Sequence, residues 1–265
     1  GQVAQEYLRD NPDVYESLGG NKIVQIKEDP TEADEADIRS LTGYIPILPI
    51  KQQEEIYKDI VDRYKFRMKP YQHQLDALRK SWSKQEFALF AEMGTGKSKI
   101  LIDTVAMLYD RGDIKGFLVV APKGVYKNWE TIELPKHLPE HIIHDVIVWD
   151  PSVTKRNLEY LSEAFEDDEN LKIVIMNVEA FSTEKGTAFA VKFLRSRKTL
   201  MAVDESTTIK NGKAKRTRNL IKAGKLASHR RIMTGSPITK TPMDLYTQCA
   251  FLDEWLLGFS SYYSF

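Results

Sequence analysis

Cysteine is nearly missing: Cys249 stands alone in 265 residues, which excludes an internal disulfide framework and any cysteine-cluster metal site and suits a reducing interior. No apolar run approaches the roughly 20 residues of a membrane span, no signal peptide is visible, and no membrane role is expected. Net charge is absent too. Lys plus Arg and Asp plus Glu number 38 each, so no global field draws the chain to nucleic acid, and any such binding must come from local patches. There is no internal repeat and no low-complexity tract. What is present is 42% hydrophobic content, enough to bury a full core, in a length that suits one large domain or one domain plus an appendage. A chain that opens on Gly1 rather than Met reads as a trimmed or excised segment.

Residues 1–66 read as a mostly helical or irregular N-terminal extension. Gly19-Gly20-Asn21 is a turn, and the acidic stretch Glu28 to Asp37 is an exposed loop or short surface helix. From Lys51 to Tyr64, Ile56, Ile60, Val61 and Tyr64 form one helical stripe, expected to pack on the main domain. At Arg67 the texture changes. Short runs rich in Val, Ile and Leu, at Phe87–Ala91, Gly116–Ala121, Ile142–Trp149, Leu171–Met176, Thr199–Val203 and Arg230–Met233, alternate with helical stretches. That alternation predicts an α/β domain over 67–265, a mainly parallel sheet with helices on both faces. Ligands in such sheets bind at the carboxyl ends of the strands, where Ala91–Ser98, Pro122, Asn177, Asp204-Glu205 and Thr234-Gly235 all fall.

The sharpest signal is Phe87 to Lys99, FALFAEMGTGKSK, followed by the helix former Ile100 to Tyr109. Glycines let successive N–H groups turn toward one anion, and the helix behind adds its positive end. Lys97 would reach the terminal phosphates of a nucleotide and the Ser98 hydroxyl would hold Mg²⁺. Against GxxxxGK[ST] the first glycine is Ala91. A second signal is TLMAVDESTTIKN, Thr199 to Asn211. A buried strand ending in two carboxylates is costly unless they meet a cation or water. Asp204 is therefore assigned to Mg²⁺, mostly through water, and Glu205 to orienting and deprotonating the water that attacks the γ-phosphate.

Taken in order, KPYQHQLDAL, AEMGTGKS, LVVAPKGVYKNW, IVIMNVEAF, VDESTTIKN and RIMTGSPIT resemble the first RecA-like lobe of superfamily 2 helicases and translocases, in the Swi/Snf-like branch. The resemblance covers about Met68 to Leu252, and the DESTTIKN form is similar to phage-encoded and bacterial members. It implies a P-loop NTPase lobe that binds ATP and Mg²⁺ and works on nucleic acid, DNA rather than RNA, inside a cell: cytoplasm, nucleoid, or a phage's host. It implies that Gln74 reads the adenine edge, with Gln72 as the alternative. Met93, Gly94, Thr95, Gly96, Lys97, Ser98 and Lys99 form the nucleotide loop, and Thr234, Gly235 and Ser236 couple nucleotide state to the bound strand. Ser206 and Thr207 stand where a DEAH-type box has Ala-His, which puts that histidine's coupling hydrogen bond in doubt.

The resemblance also implies a second RecA-like lobe, in cis or in trans, whose arginine fingers contribute roughly 10³ to 10⁵ in rate in related phosphoryl transfer. The chain stops at Phe265, so it is expected to hydrolyse ATP poorly alone. Phosphate contacts are expected from Lys123 and Lys127 after the second strand and from Asn177 after the fourth. Between Lys210 and Arg231 nine basic residues occur with no Asp or Glu, and Lys213, Lys215 and Arg216 are the chosen nucleic-acid contacts. Two other readings compete. One is a nucleotide-gated nucleic-acid-binding module whose hydrolysis is weak or belongs to a partner; the other, a small-molecule P-loop kinase, is disfavoured by the TGSP and DESTTIKN elements.

Overall fold

The computed structural model describes residues 50–238 and 241–258. The turn at Gly19-Gly20-Asn21 and the acidic stretch Glu28 to Asp37 lie outside the described residues, as does the side chain of Ile56. The chain divides at Gln53 and Glu54 into two units, and the second, Glu54–Phe265, carries the sheet.

Six strands form it: β1 (Glu86–Phe90), β2 (Gly116–Ala121), β3 (His144–Val148), β4 (Leu171–Asn177), β5 (Thr199–Asp204) and β6 (His229–Thr234). Their spatial order is β1-β6-β5-β2-β4-β3, and every pairing is parallel. All six expected runs are strands. The third is shorter than Ile142–Trp149, because Ile142 closes a turn onto the Pro139 carbonyl, while Trp149 past the strand end still donates to Ile175.

Strand alternation divides the core in two. Phe117 and Val119 of β2, Ile173 and Ile175 of β4, and Leu200 and Ala202 of β5 face one cluster; Leu118, Val120, Val174, Met176, Met201 and Val203 face the other. The first is covered by α1 (Ile50–Arg63), α2 (Gln72–Ser81) and α3 (Lys97–Asp110), with the short α4 (Leu134–His137). The second is covered by α5 (Lys155–Ser162), α6 (Glu184–Ser196), α7 (Lys215–Gly224) and α8 (Met243–Leu252). Both faces are therefore buried, which is why the central strands read as unbroken apolar runs.

On α1 the expected stripe packs inward. Val61 is fully buried and Tyr57, Ile60 and Tyr64 lie against the first cluster. Helix α3 begins at Lys97, three residues before the expected Ile100, because Gly96 takes a left-handed φ of 81° that ends the loop there. Its buried stretch, Lys99 to Leu108, makes it the central helix of that face. No helix among the described residues is long and apolar enough to cross a membrane.

Candidate nucleotide site

Between β1 and α3 the loop Ala91–Gly96 is set by two left-handed glycines, Gly94 at φ 80° and Gly96 at φ 81°. Such angles cost an L side chain roughly 1 kcal/mol or more. No side chain caps the first turn of α3, so its N–H groups are open at the end of the helix that suits an anion. Lys97 Nζ lies along the loop and donates to the carbonyls of Ala91 (2.8 Å) and Glu92 (2.9 Å). Met93 is 88% exposed at the tip.

The loop rests on α2. Gln74, 4% exposed, accepts from the Tyr71 N–H at its Oε1 (2.9 Å) and donates Nε2 to the Thr95 carbonyl (3.0 Å). His73 Nε2–H reaches the same carbonyl at 2.9 Å. Both ends of the Gln74 amide are thus engaged within the protein, whereas Gln72 is exposed with its amide on Asp76 (3.0 Å). Lys99 turns into the core, where its Nζ pairs with Asp103 at 2.7 Å and lies over the Phe66 ring.

The carboxylates stand two strands away on the same edge. Asp204 Oδ2 accepts from the Trp129 indole (3.1 Å) and Oδ1 from the Glu205 N–H (3.0 Å). Glu205 has φ 49°, the one positive φ outside glycine among the described residues. A non-glycine held there marks a position fixed by its surroundings. Its Oε1 accepts from Thr207 Oγ1 (2.8 Å) and Thr234 Oγ1 (2.6 Å). Thr234 ends β6, the strand between the loop and the carboxylates, and its carbonyl accepts from the Ala91 N–H (3.3 Å). Thr234 Oγ1 also receives the Ser236 N–H at 3.1 Å, and a Cβ on Gly235 would sit 3.5 Å from Met93. Thr234, the first of the residues assigned to coupling, therefore bridges the loop and the Glu205 carboxylate directly.

Two groups that the sequence analysis left without a role complete the site. A π-helical turn, Trp129–Glu133, brings the Trp129 indole to Asp204 and sets the Glu133 carboxylate near Ser98. Such turns recur at functional sites because they re-aim side chains. Burial raises the pKa of Glu133, with Asp204 adding to the shift and Lys136 and Ser98 opposing it. Burial likewise raises Asp204, with Glu205 adding and Trp129, the Glu205 N–H and Lys97 opposing. His137, beneath them, is pushed down to about 4 by burial and by Lys99 and Lys136. The signal for Trp129 lay in the Asn128-Trp129 end of LVVAPKGVYKNW; Glu133, four residues further on, is tied to it only by the π turn.

Ser98, Asp204 and Glu133 offer hard oxygen donors and excess negative charge, a set that fits Mg²⁺. No group of three His, Cys, Asp or Glu among the described residues makes a protein-only metal cage.

The expected nucleic-acid contacts sit along the same edge. Lys123 and Lys127 are exposed after β2; Asn177 ends the adjacent β4, with its Oδ1 capping the turn behind it at the Ala180 N–H (2.9 Å). The basic start of α7 lies beside that turn, with Arg216 Nη1 3.9 Å from Glu179 and Asn219 donating to the Phe181 carbonyl (2.9 Å). Lys213 and Lys215 are exposed there. The nine-residue basic run does not survive as one surface. Arg230 pairs with Glu86 (2.7 Å), Lys225 with Glu254 (2.7 Å), and Arg231 is buried on backbone carbonyls.

A six-stranded parallel sheet with a glycine loop, an acidic strand tip and a threonine bridge on one edge defines a RecA-like P-loop lobe. The SNF2-related domain matches residues 50–264, and the chain belongs to that family. Among curated relatives, the CHD3-type chromatin-remodeling factor PICKLE of Arabidopsis thaliana is 26% identical over 208 residues, covering 71% of this chain and 14% of that protein. A Caenorhabditis elegans homolog of SWI/SNF-related matrix-associated actin-dependent regulator of chromatin subfamily A-like protein 1 is 29% identical, covering 66% of this chain and 22% of its own length. The chain thus spans under a quarter of either relative. Among solved structures, the Sulfolobus solfataricus SWI2/SNF2 ATPase core in complex with dsDNA matches with TM-score 0.56 and 22% identity over 76% of this chain and 39% of that one. The UvsW helicase from Bacteriophage T4 matches with TM-score 0.53 and 12% identity over 82% of this chain and 74% of that one.

Proposed function

We propose that this chain is the ATP-binding motor lobe of a translocase or helicase that moves on nucleic acid, DNA rather than RNA, within a cell. The observation that carries the reading is the Thr234 bridge: one residue bonds the nucleotide loop through its carbonyl and Glu205 through its hydroxyl. The motor lobe is 67–265 and residues 1–66 are its extension.

Lys97 is poised to exchange its two loop carbonyls for phosphate oxygens, a charge-assisted pairing stronger than the one it gives up. Ser98 and Asp204 would hold Mg²⁺, which supplies charge neutralisation at the phosphates, and Glu133 supports Ser98. Glu205, fixed by Thr207 and Thr234, orients the attacking water and takes its proton. Gln74, bonded to the loop at Thr95, is the expected adenine reader, and Gln72, exposed with its amide on Asp76, is the alternative. Exposed Lys123, Lys127, Lys213 and Lys215, with Arg216 and Asn177, supply a sequence-tolerant phosphate track. A second RecA-like lobe supplies the remaining charge on the far side of the nucleotide.

The test uses the lobe alone for binding and the lobe joined to a second lobe for turnover. Lys97→Ala is expected to weaken ATP binding by roughly ten- to a hundred-fold, the worth of one or two charged hydrogen bonds. Glu205→Gln is expected to keep ATP binding and lose DNA-stimulated hydrolysis. ATP binding without turnover in the wild-type two-lobe protein would point instead to a nucleotide-gated binding module.

A further inference from the structure

The box residues Ser206 and Thr207 raise a question that the nucleotide site does not answer: what ties the acidic strand tip to the loop after β6. Thr207 and Thr234 grip the Glu205 carboxylate. Ser206 does something else. It is fully buried and donates its hydroxyl to Gln248 Oε1 on α8 at 2.6 Å. Gln248 is itself 0% exposed, and its Nε2 donates to the carbonyls of Pro237 (2.7 Å) and Asp244 (2.6 Å). A second tie joins the same two segments, Lys210 Nζ to Asp244 at 3.8 Å.

A glutamine amide in a core is expensive unless every polar atom is partnered, and here each is. Its neighbours on α8, Cys249, Ala250, Phe251 and Leu252, are buried and pack as a core helix should. Packing alone would be served by Leu. The amide instead spans two elements that sequence separates by some thirty residues: the turn that follows Glu205 and the carbonyl that follows Ser236.

We propose that Gln248 is a positioning residue that locks the 234–238 segment to the acidic box, through Ser206 on one side and Pro237 on the other. It occupies the coupling role that a box histidine would fill. Glu205 bonds the front of the segment through Thr234, and Gln248 bonds its back through Pro237, so the segment moves with the box as a unit. The lock rests on the reading of Lys97, Asp204 and Glu205 as the nucleotide site.

The test compares the wild-type chain with Ser206→Ala/Gln248→Leu, which removes the Ser206–Gln248 pair together and takes the side-chain donor from the half-buried Pro237 carbonyl. Amide hydrogen exchange is followed with and without a non-hydrolysable ATP analogue, and affinity is read with a fluorescent ATP analogue. In the wild type, nucleotide is expected to slow exchange by roughly ten-fold or more in both the 94–99 loop and the 235–238 segment. In the double variant the affinity and the loop protection are expected to persist while the 235–238 protection is lost. Ser206→Ala alone, which keeps both Gln248 bonds to carbonyls and leaves only its Oε1 without a donor, is expected to lose the same protection. Variants that keep both protections overturn the lock. A wild-type chain whose 94–99 loop gains no protection overturns the nucleotide reading and the lock with it, a distinct result.

Discussion

Gly96 is where a single hydrogen matters most. A Cβ there would lie 2.2 Å from Gln74 Nε2, and its φ of 81° already disfavours any side chain. Gly96→Ala is expected to cost roughly 2 kcal/mol in chemical denaturation, part backbone and part displacement of the glutamine, and to weaken ATP binding. Gly94→Ala, with open space around it, is expected to pay the backbone part alone. His229 offers a different test. Burial, with Arg231 and Arg111 nearby, pushes its pKa down to about 4. The unfolded chain takes up that proton first as pH falls, so the contribution of His229 to stability should drop between about pH 6.5 and 4 by up to roughly 3 kcal/mol. His229→Gln should remove that contribution from the slope of unfolding free energy against pH and leave those of His137 and Asp103. The loop residues were legible in sequence because glycines and a lysine at fixed spacing have few other uses. The bond from Gln74 to the Thr95 carbonyl was not, since a glutamine on a helix gives no sign of which way its amide turns.

At the level of elements, α3 shows how a site and a core share one helix. Its first turn closes the glycine loop while Lys99 and Asp103, one turn apart, pair within the core, and burial raises Asp103 to about 6 against the pull of Lys99. Asp103→Leu alone strands a buried ammonium and is expected to cost roughly 3 to 5 kcal/mol; Lys99→Met/Asp103→Leu should recover most of it, read by urea denaturation. Lys99 was grouped with the nucleotide loop from its place in the motif, and its side chain serves the core. Helices α7 and α8 meet at Gly224, where a Cβ would lie 2.5 Å from the Phe251 ring. All six strands could be read from runs of Val, Ile and Leu because both faces of the sheet are covered. The π turn could not, because its register depends on the partners of Trp129 and Glu133, which come from β5 and α3.

Across the whole molecule the balance of 38 positive and 38 negative side chains conceals an uneven layout. Lys213, Lys215 and Arg216 cluster beside the turn after β4, and Lys123 and Lys127 flank them from β2. Reversing the charge of Lys213, Lys215 and Arg216 together is expected to weaken DNA binding uniformly across sequences. The slope of log affinity against log salt should fall by about one per lost phosphate contact. An unchanged slope would remove that helix end from the track. Counting basic residues along the chain overstated the patch, since linear order does not say which arginines turn inward.

Arg231 is the clearest of those. Its guanidinium is buried and donates to the carbonyls of Ser81, Lys84, Gln85 and Arg230 at the entry of β1, the rim remote from the Ala91–Gly96 loop. Helix α2 ends at Ser81 and begins beside Gln74, so it is a rod pinned at both tips: one to the strand's foot, the other to the Thr95 carbonyl. The height of the loop is thereby gauged from the far side of the sheet. Arg231→Lys, which keeps the charge and loses the fork, should slacken the grip on ATP from a distance of one full strand.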